Sequence, residues 1–286
     1  MVQSMTGFGK ATLQLPTKKI TVEIKSLNSK NFDLNVRIPS AYREKEFALR
    51  NQIAKETERG KIEFSIFTEI TAEETASKVN APVVKGYIRQ MQEILPDADQ
   101  TELMKMAVRM PDSIKAGRDE IDENEWSAIQ QNINEAIKLF NDFRQTEGEI
   151  LQADFQYRIE KIRSLMIKTV SFDKERIETV KTRLRDALDG LKVAIDQNRF
   201  EQELIYYLEK YDITEEKVRL ENHLNYFIQT MKTESSSGKK LGFITQEIGR
   251  EINTMGSKSN HSEMQKLVVQ MKDELEKIKE QLLNVL

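Results

Sequence analysis

The chain has 286 residues, a formal net charge of −3 and no cysteine. Without cysteine, disulfides, thiolate zinc sites and cysteine nucleophiles are excluded. Its two histidines, His223 and His261, leave a metal site to be built mainly from Asp, Glu and water, the ligands of hard cations such as Mg²⁺ or Mn²⁺. No apolar run approaches the ~20 residues of a membrane span, and the start of the chain lacks the apolar core of a signal peptide. We therefore expect a soluble, cytoplasmic protein without membrane partners.

Basic residues are concentrated at the start of the chain. Residues 1–70 contain 12 Lys and Arg against 8 Asp and Glu, a net charge of +4, so the remainder carries −7. Such an asymmetry indicates a polyanion partner, although many solvated surfaces carry a similar excess.

Alternating apolar and polar residues predict four strands in this basic region, at 11–16, 19–27, 31–39 and 60–70. A helical spacing of apolar residues occupies 41–59, between the third and fourth strands, and Gly60 follows it. The predicted order is therefore β-β-β-α-β.

From about residue 76 the apolar period becomes 3.6, which predicts a body of long helices. Breaks are predicted at 95–99, 109–113, 171–175, 189–200 and 234–240. The fold class is thus α+β, a small N-terminal β-β-β-α-β sheet domain followed by a long, mostly helical body that ends in helical hairpins. We predict an N-terminal domain over 1–155, in which a basic sheet region over 1–75 precedes a helical arm over 76–155. A helical connector over 156–199 and a C-terminal helical domain over 200–286, which carries a polar site, are predicted to follow.

The last predicted helix has a regular heptad seam. Its members are Met264, Val268, Met271, Leu275, Ile278, Leu282 and Val285. Such a seam packs either on a neighbouring helix of the same chain or on another subunit.

The stretch 238–256, "GKKLGFITQEIGREINTMG", is predicted to be an amphipathic helix ended by Gly256. Glu247 and Glu251 stand one turn apart and are expected to be exposed opposite its apolar stripe. Two such carboxylates can share a divalent cation, or they can be solvated or paired with Arg250.

The residues that follow, "SKSN", are predicted to begin the last helix. A hydroxyl at Ser257, an ammonium at Lys258 and free backbone N–H groups would favour an anion there. Serine at such a point is also an ordinary N-cap.

Two further polar clusters have helical spacing. In "YDITEEKVRLENH", His223 shares a face with Arg219 and nearby carboxylates, which suits either a proton-transfer group or a structural histidine. In "RQTEGEILQAD", Arg144, Glu147 and Asp154 share a face, and Gly148 lies inside the predicted helix. Glycine there costs about 1 kcal/mol against alanine, so close approach of another backbone or a ligand would explain it.

Several long stretches together resemble one bacterial family across nearly the whole chain, the YicC/YloC family. They are "SMTGFG" (4–9), "EIKSLNSKNFDLNVRIP" (23–39), "RGKIE" (59–63), "RQTEGEILQAD" (144–154), "DITEEKVRLENHL" (212–224) and "GKKLGFITQEIGREINTMGSKS" (238–259). The resemblance implies an endoribonuclease promoted by a divalent metal and assembled as a ring-like hexamer with a helical lid. The chain departs from the family at Lys25 and Lys30, where arginine is common, and at His261, where an acidic residue is common.

With that resemblance we predict the roles of individual residues. The cation, Mn²⁺ or Mg²⁺, is assigned to Glu247 and Glu251 with Glu147 or Asp154. The catalytic residues are His223, Arg250, Glu251 and Lys258. The RNA-binding residues are Lys25, Asn28, Lys30, Arg37, Arg59, Lys61, Arg144, Arg219 and Ser257.

Two other classes of protein compete with this prediction. One is a non-catalytic RNA-binding or scaffold protein whose helical polar clusters are subunit contacts. The other is a structural coiled-coil adaptor, which leaves the basic sheet and the Gly-Ser-Lys-Ser stretch unexplained. The predicted partners are RNA and further copies of the chain, in a homo-oligomer that we expect to be a hexamer.

Overall fold

A computed structural model describes residues 2–29, 31–57, 59–71, 77–116, 122–190, 197–233 and 237–286. The chain divides into two compact units. The sheet unit is Phe8–Asn141, and the helical unit combines Met1–Gly7 with Asp142–Leu286. Lys30, one of the predicted RNA-binding residues, lies outside the described residues.

The sheet unit is built on four strands, which confirms the predicted β-β-β-α-β order. They are β1 (Gly7–Gln14), β2 (Lys18–Leu27), β3 (Phe32–Arg37) and β4 (Gly60–Ile70), arranged in the order β1-β2-β4-β3. β4 pairs antiparallel with β2 and parallel with β3. The parallel connection carries a 3₁₀ turn (Ser40–Lys45) and helix α1 (Glu46–Glu56), as a crossover between parallel strands requires.

One face of this sheet is buried and the other is exposed. Alternate residues of β2, namely Ile20, Val22 and Ile24, are fully buried. They share a core with Leu49 and Ile53 of α1. The intervening residues of each strand therefore form a separate, solvent-facing surface.

A helical arm completes the sheet unit. It contains α2 (Ala81–Ile94) and α3 (Gln100–Ala107), and a two-stranded sheet in which β5 (Ser77–Val79) pairs with β6 (Ile114–Ala116). The sequence predicts helix throughout this region, and the two short strands correct that prediction. Three residues are too few for a period of two to be recognised.

The helical unit is formed by long helices. They are α4 (Glu123–Thr169), which begins in the sheet unit, then α5 (Asp173–Gly190), α6 (Gln197–Lys210), α7 (Thr214–Thr233), α8 (Gly238–Lys258) and α9 (Ser262–Leu282). A 3₁₀ turn, Val170–Phe172, joins α4 to α5. Residue 155, where the sequence suggested a domain boundary, lies inside α4, whose helical period is not interrupted there. No helix in the described portion of the chain is long and apolar enough to cross a membrane.

The heptad seam of α9 is buried within its own chain. Its apolar residues, from Met264 to Leu282, join a core with residues of α4, α7 and α8. Of the two interpretations that the sequence left open, packing within the chain is therefore the one observed. The seam gives no support to a subunit contact.

Gly148 lets the first residues of the chain pack on α4. A Cβ atom at Gly148 would lie 2.1 Å from the carbonyl oxygen of Val2. Ser4 then forms an antiparallel bridge with Val285, beyond the end of α9. The close approach of another backbone, which the sequence suggested at this glycine, is confirmed.

Candidate functional site

The polar seam between α7 and α8 consists of Glu216 and His223 on α7 and of Glu251 and Lys258 on α8. Lys258 Nζ donates a hydrogen bond to Glu216 Oε1 over 2.7 Å. Glu216 is buried, and its Oε2 atom has no hydrogen-bond partner in the described structure. This ion pair shows the register in which the two antiparallel helices face each other.

The register brings Glu251 and His223 to the same level. Seven residues before Lys258 is Glu251, and seven residues after Glu216 is His223. Because seven residues make about two turns of helix, each of these residues lies on the same side of its helix as the ion-paired residue. A similar pair of groups therefore occurs twice along the seam. Glu216 and Lys258 lie at one level, and Glu251 and His223 lie at a level about 10 Å away.

Glu251 is buried, with 8% of its surface exposed, which corrects the prediction of an exposed position. It follows Ile248 by three residues and precedes Ile252 by one, so it lies at the edge of the buried stripe. The spacing of the apolar residues locates the buried stripe of α8 but does not show how wide it is. The sequence therefore predicted that the edge of the stripe faces solvent. Among the residues that the structure describes, the Glu251 carboxylate has neither a hydrogen-bond nor an ion-pair partner.

The Glu251 carboxylate oxygens are not among the fully buried, unpaired polar atoms of the described residues, so they reach solvent and are open to a donor such as an imidazole, a cation or a ligand. His223 is half-buried and lies at the right level to be oriented by Glu251. The structure, which describes both residues, shows no hydrogen bond between the Glu251 carboxylate and the His223 imidazole. A carboxylate and an imidazole at one level, with a lysine held two turns along, can move a proton and stabilise negative charge.

Arg250 and Glu247 lie outside this seam. Arg250 Nη1 donates to Glu247 Oε1 over 2.8 Å, and 73% of the Arg250 side chain is exposed. The two carboxylates nevertheless differ in their contacts, since the half-buried Glu247 is paired with Arg250 and the buried Glu251 has no such partner among the described residues.

The predicted anion site at "SKSN" is wrong in its geometry. α8 continues through Gly256 to Lys258, and α9 begins only at Ser262, with His261 as its N-cap. Gly256 allows close packing instead of ending the helix, since a Cβ atom there would lie 3.0 Å from Val268. Ser257 and Lys258 consequently stand at a helix C-terminus, where the dipole favours cations rather than anions.

The predicted residues on α4 hold structure together. Arg144, which is buried, donates from Nε to the carbonyl oxygen of Ser4 over 2.8 Å. Glu147 accepts a hydrogen bond from the hydroxyl of Thr6 over 2.5 Å. These contacts fasten the "SMTG" stretch to α4.

Asp154 belongs to a separate ionic cluster between α4 and α9. It pairs with Arg158 over 2.7 Å, and Arg158 also donates to the buried Glu274 over 3.0 Å. Lys161 and Lys277 complete the cluster around Glu274. On α7, Arg219 is exposed and paired with Glu215.

The predicted metal ligands do not come together as a metal site. Within the ranges described, no three His, Asp or Glu side chains are grouped so that they could hold a metal ion. Glu147, Asp154 and Glu247 are each bonded to another side chain. The described residues thus do not fit a metal held by the protein alone.

Three predicted RNA-binding residues share the exposed face of the sheet. Lys25 and Leu27 lie on the same face of β2, and Leu27 pairs with Lys61 of β4. On the other side of β4, Ser65 pairs with Arg37 of β3. Because paired residues and every second residue lie on one face, Lys25, Lys61 and Arg37 lie together, and all are exposed.

Aromatic rings and carboxylates accompany these cations. Lys25 Nζ lies 5.5 Å from the centre of the Phe8 ring and 3.1 Å from Glu23. Asn28 follows β2 and is exposed, and the half-buried Arg59 donates to the carbonyl oxygen of Ser29 over 3.1 Å. The exposed face of the sheet therefore offers cationic groups for phosphate contacts, with carboxylates among them.

The sequence left open whether Glu215 or Glu216 shares the face of His223, and it did not reveal the ion pair of Glu216. Its seven-residue spacing from His223 was a usable signal, but the choice between Glu215 and Glu216 needs the register of α7 against α8. Only the structure shows that Glu216 is buried and Glu215 exposed.

Comparison with known proteins places the chain in a family. Residues 2–153 match the model "Endoribonuclease YicC-like, N-terminal region", and residues 169–286 match "Endoribonuclease YicC-like, C-terminal". The chain belongs to this YicC-like family.

Two relatives are similar over their whole length. A protein of Clostridioides difficile (strain 630) is 32% identical over 297 aligned residues, and one of Haemophilus influenzae (strain ATCC 51907 / DSM 11121 / KW20 / Rd) is 30% identical over 298. The alignments cover 100% of this chain and of each relative. Both relatives are named "Probable endoribonuclease YicC".

Proposed function

We propose that this protein is an endoribonuclease whose catalytic centre is the polar seam between α7 and α8. The observation that carries the proposal is Glu251, a residue with 8% of its surface exposed whose carboxylate lacks a hydrogen-bond or ion-pair partner among the described residues and which lies at the level of His223. Membership of the YicC-like family and the names of the two relatives support RNA as the substrate.

In this proposal His223 transfers the proton and Glu251 orients it. The imidazole takes a proton from the oxygen that attacks phosphorus, and the carboxylate stabilises the imidazolium that forms. The polar seam has one histidine, so the same imidazole is proposed to carry out both proton transfers. After the attack it returns the proton to the oxygen that leaves as the P–O bond breaks.

Lys258 and Arg250 supply positive charge for the phosphate. Lys258 is held by the buried Glu216 while 29% of its side chain stays exposed, so its ammonium is fixed and accessible. Arg250 is exposed and has a planar fork that suits two phosphate oxygens. Charge placed in advance against a developing phosphorane is worth more than charge that must first be reorganised.

The exposed sheet face is proposed as a surface for the RNA backbone. Lys25, Lys61 and Arg37 share this face, and phosphate contacts of this kind position a nucleic acid without reading its sequence. Asn28 and Arg59 lie near its edge, where Arg59 is already engaged with Ser29.

We also propose that a divalent cation, Mn²⁺ or Mg²⁺, takes part in RNA cleavage. Magnesium keeps several waters and is usually bound through one or two carboxylates together with substrate phosphates. The cation is therefore proposed to arrive with the RNA, and no step of the mechanism is assigned to it.

Homo-oligomerisation as a ring-like hexamer is likewise proposed. The α9 seam does not support it, but the arm of the sheet unit exposes large apolar side chains, among them Ile94, Leu95 and Met106. Exposed apolar patches of this kind commonly mark subunit contacts. Light scattering should give about six times the chain mass of 33.2 kDa, and a monomer mass at micromolar concentration would reject assembly.

The function is tested by incubating the purified protein with an RNA hairpin labelled at its 5′ end, with and without chelator. We expect internal cuts, and we expect chelator to suppress them. A retarded RNA band without any cut would favour the competing class, a non-catalytic RNA-binding or scaffold protein.

A further inference from the structure

The α6 tyrosine platform, formed by Tyr206, Tyr207, Lys210 and Tyr211, is a second polar and aromatic site in the helical unit. The rings of Tyr207 and Tyr211 are stacked, with centroids 6.1 Å apart and planes 20° from parallel. Tyr206 stands edge-on to Tyr207 with centroids 5.7 Å apart. The Lys210 ammonium lies 6.0 Å from the centres of both the Tyr206 and Tyr207 rings.

A cavity of about 270 Å³ opens beside this platform. Its walls come from Arg176, Ile177 and Val180 of α5, from Tyr207 and Leu208 of α6, and from Tyr211, Asp212 and Thr214. Tyr206 and Lys210 do not line it. Arg176 is buried and donates from Nη1 to the carbonyl oxygen of Tyr211 over 2.7 Å, which fastens the end of α6 to α5. The cavity is therefore a built pocket with one aromatic wall.

Packing of α6 on α5 does not account for the whole platform. Phe200 is the residue of α6 that is buried, whereas Tyr206 exposes 57% of its surface. The Lys210 ammonium contributes a cation–π contact to the rings, and the exposed part of Tyr206 remains open to a further stacking partner.

We propose that the α6 tyrosine platform binds an unpaired base of the RNA substrate, with Lys210 contacting the adjoining phosphate. Single strands are held by base stacking on aromatic side chains combined with cationic contacts to the backbone. The proposed stacking surface is the exposed ring of Tyr206, which lies outside the cavity bounded by Tyr207 and Tyr211. The proposal rests on RNA being the substrate.

The site is tested by measuring binding of a ten-nucleotide oligoadenylate that carries 2-aminopurine, with a gel to show that it is still intact. Tyr206→Ala should weaken binding about tenfold, the scale of one lost stacking contact, and should relieve the quenching of 2-aminopurine. Tyr206→Phe keeps the ring and should bind within about twofold of the parent. Tyr157→Ala is the matched control, because Tyr157 is a 63% exposed tyrosine on α4.

Several results would overturn the proposal. Unchanged affinity of Tyr206→Ala rejects the platform while leaving endoribonuclease activity of the parent protein intact. Unchanged affinity together with a smaller assembly in light scattering identifies Tyr206 as a subunit contact instead. Failure of the parent protein both to bind and to cut RNA rejects the platform and the proposed function together.

Discussion

Lys258 and Glu216 join α8 to α7 through a hydrogen bond of 2.7 Å between Nζ and Oε1, at one end of the polar seam. Removing the ammonium should remove one charge contact to the transition state. Lys258→Gln is therefore expected to lower RNA cleavage by about a hundredfold. Rates of cleavage under single-turnover conditions provide the measurement.

The matched control for this change is Lys232→Gln, because Lys232 is an exposed lysine near the end of α7. It should cut RNA at the parental rate. Equal rates for the Lys258 and Lys232 variants would mean that the ion pair is only structural.

A second prediction concerns Gly148. Its replacement by alanine would put Cβ 2.1 Å from the carbonyl oxygen of Val2, so the first residues of the chain must move. We expect Gly148→Ala to lower the free energy of unfolding by at least about 2 kcal/mol. Gly242→Ala, where nothing lies within 4 Å, should instead raise it by up to about 1 kcal/mol. Urea denaturation measures both, and similar values for the two variants would contradict the packing described.

The third prediction follows from the pKa of Glu274. Burial opposes its charged form, but hydrogen bonds from Lys161 and Lys277 outweigh burial and lower the pKa to about 2, from 4.5. A lowered pKa stabilises the fold above pH 4.5, and this contribution is lost as the pH falls towards 2.

Glu274→Gln should therefore cost about 2 kcal/mol at pH 7, a value reduced because the partner cations are partly exposed. The difference in unfolding free energy between this variant and the parent should shrink between pH 4.5 and pH 3. A difference that stays constant with pH would show that the carboxylate charge does not stabilise the α4–α9 contact. Glu280→Gln, an exposed change on α9, is the control.

The fourth prediction tests the exposed sheet face. Replacing Arg37 and Lys61 together by glutamine should flatten the dependence of log affinity on log salt by about one to two units. The matched double variant changes Arg43 and Lys55, which are exposed in the same unit outside the four strands, and should keep the parental slope. Equal slopes for both variants would exclude the sheet face from RNA binding.

The sequence predicted features that depend on local periodicity. The four strands of the sheet, the helix between them and the long helices follow from periods of two and 3.6. The backbone contact at Gly148 was also predictable, because glycine destabilises the interior of a helix and close approach of another group explains its presence there.

Other features depend on contacts between distant residues. The bond between Thr6 and Glu147 spans 141 positions, so nothing local to Glu147 indicates its structural use. Glu251 looked exposed because the sequence does not reveal which neighbouring helix covers the edge of the stripe. Gly256 looked like a helix end because the same residue serves both to stop a helix and to admit a close neighbour such as Val268.

Glu251 and His223 are proposed to act together in RNA cleavage. The most direct measurement compares single-turnover cleavage of one RNA hairpin by the parent protein, Glu251→Gln, His223→Gln and the double variant. We expect each single variant to lose about a hundredfold and the double variant to lose little more, because residues that act as a unit are not additive. Cleavage at the parental rate by both single variants, with the RNA affinity unchanged, would contradict the account.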